Sequence, residues 1–195
     1  MQKDIILAGV GGQGILSIAA IIGYAAVKAG LHLKQAEVHG MSQRGGDVQS
    51  HLRLSSNEIA SDLIPYGKAD LVISVEPMES LRYLPMLAPN GWLITNTEPF
   101  INIPNYPETE KLLAEIDKLQ YSVALNADKI AKELNASKSA NMVILGAASP
   151  FLDIPYNQLE DAIKAIFYKK GDEIVNLNIA AMKAGKEYAN SIINI

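Results

Sequence analysis

A cluster of glycines at residues 9–14 divides an uncharged N-terminal segment into two structural elements. Residues 4–10 form a short, largely apolar run, which is typical of a strand buried on both faces of a sheet. Residues 13–29 are apolar and rich in alanine, and Gly30 stands where a helix would end, so this stretch predicts a buried helix. The glycines fit the pattern G-x-G-x-x-G, which requires a strand before it and a helix after it.

The same segment has to be distinguished from a membrane span, because residues 5–27 carry no charge and are long enough to cross a bilayer. The glycines interrupt the apolar run, whereas a signal peptide needs a continuous apolar region behind a basic one. Here Lys3 is followed at once by Asp4, which cancels the positive charge. We therefore expect no membrane segment and no export signal, and we place the chain in the cytoplasm.

Strand-like and helix-like patterns alternate along the rest of the chain. The further predicted strands cover residues 31–38, 48–54, 69–75, 91–96 and 121–125. The further predicted helices cover residues 78–87, 127–134, 140–148, 156–168 and 173–193. This alternation predicts an α/β fold, a single three-layer Rossmann-like domain over residues 1–195 with a mostly parallel sheet. Residues 48–54 alternate between the two faces of a strand, and they predict the one strand that pairs antiparallel in this sheet. Residues 98–107 predict a loop.

The glycine cluster has the chemistry of a phosphate-binding loop. Glycine lets the backbone turn sharply and lets a phosphate approach a helix N-terminus, where free N–H groups and the helix dipole favour negative charge. The candidate ligand-binding residues are therefore Gly9, Gly11, Gly12, Gln13 and Gly14. Glu37 follows Gly14 by 23 residues, near the position of the ribose-binding acid in an NAD site. The same glycines could also serve only a tight corner between strand and helix.

A second glycine-rich loop follows at residues 37–46. Arg44, beside two glycines, could present its guanidinium group to a carboxylate or phosphate ligand, or could pair with a local carboxylate. His39, His51 and Glu37 lack the spacing of a metal-binding motif, so we predict no metal site. Each histidine is more simply explained as a hydrogen-bonded structural residue.

Composition excludes several kinds of chemistry within this chain. The sequence contains no cysteine, which rules out disulfides, thiolate nucleophiles and iron–sulfur clusters held by four cysteines. A net charge of −4 argues against nucleic-acid binding. Gly171 and Asp172 could begin a thiamine diphosphate motif, but Glu173 follows and no asparagine pair lies downstream. We predict no catalytic residue in this chain and no tightly bound cofactor.

The two glycine-rich loops together resemble the gamma-type domain of the 2-oxoacid:ferredoxin oxidoreductases. The sequences of these two loops are most similar to those of the small (beta) subunit in the indolepyruvate-type members. Pyruvate-type relatives have Tyr-Gly-x-Glu-x-Arg-Gly-Gly in the second loop, whereas here His39 replaces the tyrosine, Ser42 replaces the glutamate, and Arg44 is kept with its two glycines. Two further segments, at residues 70–74 and 141–146, also resemble the sequence pattern of the gamma-type domain.

This resemblance implies an oxidative decarboxylation in which an aryl pyruvate such as indolepyruvate and coenzyme A give an arylacetyl-CoA, carbon dioxide and reduced ferredoxin. It also implies a large alpha partner subunit that carries thiamine diphosphate and 4Fe-4S clusters, so that this chain is inactive alone. By the same resemblance, the loop at residues 9–14 would help to hold the pyrophosphate of coenzyme A. Arg44 would either join it there or serve the subunit interface.

Other functions stay open at the level of sequence. A related small subunit could act on pyruvate, 2-oxoglutarate or a branched-chain 2-oxoacid instead of an aryl pyruvate. A free-standing NAD- or FAD-dependent dehydrogenase would use the glycine loop as an ordinary dinucleotide site and need no partner. A non-enzymatic nucleotide-sensing module would bind its ligand without turnover.

Overall fold

The computed structural model describes residues 1–39 and 45–193, in which a six-stranded sheet is covered by helices on both faces. The strands are β1 (Gln2–Val10), β2 (His32–His39), β3 (Asp47–Ser55), β4 (Ala69–Ser74), β5 (Leu87–Asn96) and β6 (Ser122–Leu125). The α-helices are α1 (Ile15–Lys28), α2 (Pro77–Arg82), α3 (Thr109–Ile116), α4 (Ala127–Glu133), α5 (Ala140–Ala148), α6 (Tyr156–Phe167) and α7 (Asp172–Ile193). Short 3-10 turns lie at Leu84–Met86, Ser149–Phe151 and Tyr168–Lys170.

The strand order across the sheet is β2-β3-β1-β4-β5-β6. β1, β4, β5 and β6 are parallel neighbours, whereas β3 pairs antiparallel with both β1 and β2. The predicted α/β fold with a mostly parallel sheet is confirmed. The antiparallel strand, β3, covers the residues whose alternating pattern predicted it. β2 and β3 lie on one side of β1, and β4, β5 and β6 lie on the other side. The topological switch point therefore lies between β1 and β4.

Strand β1 lies at the centre of the core and is buried on both faces, as its apolar run predicts. Ile5 and Leu7 belong to a large apolar cluster with α1, α5, α6 and α7. Ile6 points to the other face and packs in a smaller cluster with Val72 and Ile116. The two clusters on opposite faces of one sheet confirm the three-layer architecture, with the thicker helical layer on the α1 side.

The uncharged N-terminal segment is divided as the glycines predict. β1 ends at Val10, α1 begins at Ile15, and the intervening turn contains two glycines with positive φ. In the part of the chain that the structure describes, no helix combines the length and the apolar character needed to cross a membrane.

Two boundaries differ from the sequence predictions by four or more residues, and one helix was not predicted. The helix predicted for residues 78–87 ends at Arg82, because Pro85 has no N–H to donate and the chain passes into a 3-10 turn. β5 consequently begins at Leu87, four residues before the predicted start at Gly91. Helix α3 was not predicted at all, since it spans only eight residues and buries only Leu112 and Ile116.

Two glycines bring α5 and α7 into direct backbone contact. A Cβ atom placed on Gly146 of α5 would lie 1.8 Å from the carbonyl oxygen of Met182. A Cβ atom on Gly185 of α7 would lie 1.9 Å from the carbonyl oxygen of Val143. Since backbone atoms cannot move aside as a side chain does, both positions require glycine.

We expect Gly185→Ala to lower the free energy of unfolding by about 2 kcal/mol or more, because the new methyl group forces α7 away from α5. Urea denaturation of the purified chain measures this loss directly. Gly23→Ala in α1 is the matched control, since its Cβ would meet only the movable Cδ2 of Leu33, at 3.1 Å. The gain in helix propensity should keep the control within about 1 kcal/mol of wild type. Equal losses in the two variants would contradict the argument.

Candidate functional site

The crevice at the carboxyl ends of β1 and β4 is the expected ligand site of an open α/β sheet. Gln13 spans this crevice with its side-chain amide. Its Oε1 accepts a hydrogen bond from the backbone N–H of Val10 at 2.9 Å, and its Nε2 donates to the carbonyl oxygen of Val75 at 3.4 Å. The side chain therefore holds the glycine loop in a fixed position across the switch point.

The glycines of the loop at residues 9–14 have different roles. Gly9 is required by packing, because a Cβ atom there would lie 2.4 Å from Cγ2 of Val75. Gly12 has φ +104° and faces open space, and Gly14 has φ +82° and forms the N-cap of α1. Among the described residues no side chain caps α1, and the N–H of Ser17 donates to the carbonyl oxygen of Gly14, so the N–H groups of Ile15 and Leu16 keep their capacity to bind a ligand.

The two glycine-rich loops of the sequence are in direct contact. The N–H of Gly11 donates to the carbonyl oxygen of Gly46 at 2.8 Å, and the N–H of Gly45 donates to the carbonyl oxygen of Gly11 at 3.3 Å. Asn102 adds a third bond, from its Nδ2 to the carbonyl oxygen of Gly45 at 2.7 Å. Arg44 lies outside the described residues, so its predicted ligand or interface role stays a prediction.

A cleft of about 630 Å³ extends from the glycine loop to the beginning of α7. Its polar wall comes from the glycine loop, the start of α1 and the start of α5, and its apolar wall comes from the end of α6 and the start of α7. The polar wall contains Gly12, Gln13, Gly14, Ser17 and Asn141, and the apolar wall contains Phe167, Ile174 and Leu177. A second cavity of about 380 Å³ shares Gly12, Gln13 and Asn141 with the cleft and reaches Asn96 and Asp128.

The electrostatics of the larger cleft favour an anion. Lys138 and Lys170 line it with exposed ammonium groups, and Nζ of Lys170 lies 5.1 Å from the centre of the Phe167 ring. Among the described residues that line this cleft there is no Asp or Glu. Two cations and an uncapped helix N-terminus beside an apolar wall suit a ligand with phosphates at one end and an apolar group at the other.

Comparison with known proteins identifies the family. The family model described as pyruvate ferredoxin/flavodoxin oxidoreductase matches residues 4–188. The chain belongs to this family. Indolepyruvate oxidoreductase subunit IorB of Archaeoglobus fulgidus is 37% identical over 200 residues, which cover 98% of this chain and 97% of that protein. The subunit of the same name from Pyrococcus horikoshii is 33% identical over 202 residues, which cover 100% of this chain and 99% of that protein.

Solved structures share the fold of this pyruvate ferredoxin/flavodoxin oxidoreductase family member. The gamma subunit of keto/oxoacid ferredoxin oxidoreductase from Geobacter sulfurreducens PCA superposes with a TM-score of 0.72 at 23% identity, covering 97% of this chain and 99% of that one. A 2-oxoglutarate:ferredoxin oxidoreductase from Magnetococcus marinus, with 2-oxoglutarate, coenzyme A and succinyl-CoA bound, gives a TM-score of 0.77 at 24% identity. That match covers 97% of this chain but 31% of the other chain. The family resemblance inferred from the two glycine-rich loops is confirmed.

Glu37 does not lie where the ribose-binding acid of an NAD site would stand, although its spacing from Gly14 along the chain is similar. Strand β3 lies between β2 and β1, so Glu37 is paired with Ser50, and Ser50 is paired in turn with Leu7. Two strand spacings, about 10 Å, therefore separate Glu37 from β1. In a dinucleotide-binding fold β2 is the direct neighbour of β1, and the inserted strand is what removes the acid from the crevice.

His51 is a structural residue, as its lack of motif spacing indicates. Its ring is buried on β3, and Nδ1 accepts a hydrogen bond from the N–H of Ile64 at 3.0 Å. Burial, reinforced by the charge of Arg53, lowers the pKa of His51 below its ordinary value. Within residues 1–39 and 45–193, no group of three or more His, Cys, Asp or Glu side chains is placed to hold a metal.

The lysines of the cleft were missed by sequence reasoning. Lys138 lies between α4 and α5, and Lys170 lies in the 3-10 turn before α7, both more than 100 residues beyond the glycine loop. No local motif surrounds either residue. Only the packing of α5 against α1, and of α7 against α5, brings them to the carboxyl edge of the sheet.

A cluster of buried carboxyl groups lies on the other side of the switch point. Glu76 follows β4, is fully buried, and caps α2 by accepting from the N–H of Glu79 at 2.8 Å. Glu76 also accepts from the hydroxyl group of Tyr106. Burial and the adjacent Asp47 together raise the pKa of Glu79 to about 7, although Arg82 at 2.7 Å opposes the shift.

This raised pKa makes stability depend on pH. Folded Glu79 keeps its proton up to about pH 7, whereas in the unfolded chain the group loses it near the ordinary value of 4.5. The folded state therefore binds more protons between these limits, and the stability contributed by Glu79 falls as pH rises through the window.

We expect Glu79→Gln to remove this part of the pH dependence, because glutamine cannot ionise. Urea unfolding at pH 5.0 and pH 7.5 should show the variant gaining stability relative to wild type at the higher pH. Glu115→Gln, at an exposed position in α3, is the control and should follow wild type. Parallel profiles for wild type and Glu79→Gln would show that Glu79 titrates normally.

Proposed function

We propose that this chain is the small subunit of an indolepyruvate-type 2-oxoacid:ferredoxin oxidoreductase, a single gamma-type domain that works in the cytoplasm within a larger complex. The reaction consumes an aryl pyruvate, coenzyme A and two oxidised ferredoxins, and yields an arylacetyl-CoA, carbon dioxide, two reduced ferredoxins and a proton. The observation that carries this proposal is the match, over almost the full length of both chains, to relatives named indolepyruvate oxidoreductase subunit IorB, at 37% and 33% identity.

The proposal divides the chemistry between two subunits. We expect thiamine diphosphate and 4Fe-4S clusters on a large alpha subunit to supply the decarboxylation and the electron transfer to ferredoxin. This chain has no cysteine with which to hold such a cluster. Its own contribution is to bind coenzyme A and to position it for the partner.

The cleft fits the nucleotide part of coenzyme A. Its pyrophosphate would lie against the first turn of α1, at Gly12 and Gly14, with the ammonium groups of Lys138 and Lys170 neutralising the charge. The apolar wall that includes Phe167 offers a surface for the adenine ring. The Magnetococcus marinus enzyme, which contains a region of the same fold, has coenzyme A bound, and this supports coenzyme A as the ligand. The position of Glu37 outside the crevice disfavours a free-standing NAD dehydrogenase.

We expect Lys138→Ala and Lys170→Ala each to raise the KM for coenzyme A roughly fivefold to tenfold, because each removes a charged contact to phosphate. The value of kcat should change little, since neither lysine contacts the reacting carbonyl group. Steady-state kinetics of the assembled complex at varied coenzyme A separates the two parameters. Lys183→Ala is the control, because Lys183 lies on the exposed face of α7 and pairs there with Glu187.

The function itself is tested by isolating the tagged chain from its native cells under anaerobic conditions. We expect it to bring down a large subunit with the absorbance of iron–sulfur clusters, and the complex to reduce ferredoxin with indolepyruvate only when coenzyme A is present. Pyruvate, 2-oxoglutarate and a branched-chain 2-oxoacid serve as competing substrates. Faster turnover of one of these would reassign the substrate, and partner-free activity with a bound dinucleotide would overturn the proposal.

A further inference from the structure

The solvent-facing side of α1 is apolar from Leu16 to Val27, and Lys28 ends it, with its Nζ 5.7 Å from the centre of the Tyr24 ring. Ahead of Lys28 the exposed residues of this helix are Leu16, Ala20, Tyr24 and Val27. Leu16 is 46% exposed, Tyr24 38% and Val27 58%. Their spacing of three or four residues places all of them on one face, which is about 17 Å long at 1.5 Å per residue.

This face is unlike the exposed face of an ordinary surface helix. A helix that covers a core normally carries charged or polar residues on its outer side. Helix α7 follows that rule and presents Lys183 and Glu187 to solvent as an ion pair. Helix α1 instead carries apolar residues on both its buried and its exposed side as far as Val27, which is the pattern of a helix that is covered on both sides. A contiguous exposed apolar strip of this kind marks an interaction surface.

We infer that the face formed by Leu16, Ala20, Tyr24 and Val27 is the docking surface for the large catalytic subunit, which would cover it with an apolar, uncharged surface of its own. This inference rests on the proposed function. In the Magnetococcus marinus enzyme the same fold makes up 31% of a longer chain, so the remainder of that chain is attached to this domain directly. The relatives named indolepyruvate oxidoreductase subunit IorB match this chain over 97% and 99% of their own length, so in those proteins the remainder belongs to another chain.

The position of the face favours the catalytic subunit over a second copy of this chain. Leu16 is followed directly by Ser17, which lines the cleft beside the glycine loop. A subunit seated on α1 therefore borders the mouth of the cleft and lies where the thiol of a bound coenzyme A has to be delivered. A second copy at this place would cover the same mouth without bringing a catalytic centre to it.

The test uses two charge insertions on this face, each made in the tagged chain expressed in its native cells. Val27→Lys adds a cation in the last turn of α1, where the helix dipole tolerates it, and Ala20→Glu places a carboxylate at the centre of the face. Ile192→Lys is the matched control, because Ile192 is a 44% exposed apolar residue in the last turn of α7. Circular dichroism melting of the free chains shows whether all variants fold.

We expect Val27→Lys and Ala20→Glu to weaken association with the cluster-bearing large subunit about tenfold or more, and Ile192→Lys to leave it unchanged. Association is measured by titrating the tagged chain into isolated large subunit. Wild-type affinity in both face variants would overturn the docking inference while leaving the proposed function intact. Dimerisation of the free wild-type chain, abolished by the same variants, would assign the face to a second copy and also overturn it.

The proposed function fails in a different way. A wild-type complex that assembles through α1 but does not oxidise indolepyruvate or another 2-oxoacid with coenzyme A would reject the function and keep the interface. Recovery of no cluster-bearing large subunit by the wild-type chain would reject both.

Discussion

The backbone pairing of β3 with β1 determines what lies at the functional edge of the sheet. The hydrogen bonds of Gly11 with Gly45 and Gly46 continue this antiparallel pairing beyond the end of the strands and join the two glycine-rich loops. The same pairing moves β2 outward, and Glu37 with it. The crevice therefore lacks the acid that selects a ribose, while Lys138 and Lys170 reach the adjoining cleft. One inserted strand thus separates this phosphate-favouring site from a dinucleotide site on an otherwise similar fold.

The features that sequence could predict are those with a local signature. The apolar run of β1, the glycines that end it and the alternating pattern of β3 each follow from residues within one element, and all three are where the sequence places them. The end of α2 can be predicted only when Pro85 is also considered, because proline has no N–H with which to continue the helix. The lysines of the cleft carry no local signal, because their role depends on how α5 packs against α1 and α7 against α5. The spacing of Glu37 along the chain could not show its distance from β1 for the same reason, since strand order is a property of the whole sheet.

The absence of charge from residues 5–27 is explained by what surrounds the strand and the helix that these residues form. β1 is enclosed by the two apolar clusters of the core, and one side of α1 packs on the sheet. The other side of α1 is the face that we assign to the large subunit. A sequence that resembles a membrane span in composition can therefore belong to a strand and a helix that are both covered by protein.

The contact between Gly146 and Gly185 also helps to position one wall of the cleft. Gly185 lies 13 residues from the start of α7, which is about 20 Å along the helix, and Ile174 and Leu177 line the cleft near that start. Because α7 is held against α5 at this backbone contact, the contact helps to determine where the apolar wall of the cleft stands. Residues deep inside the protein, which do not line the cleft, therefore contribute to its shape.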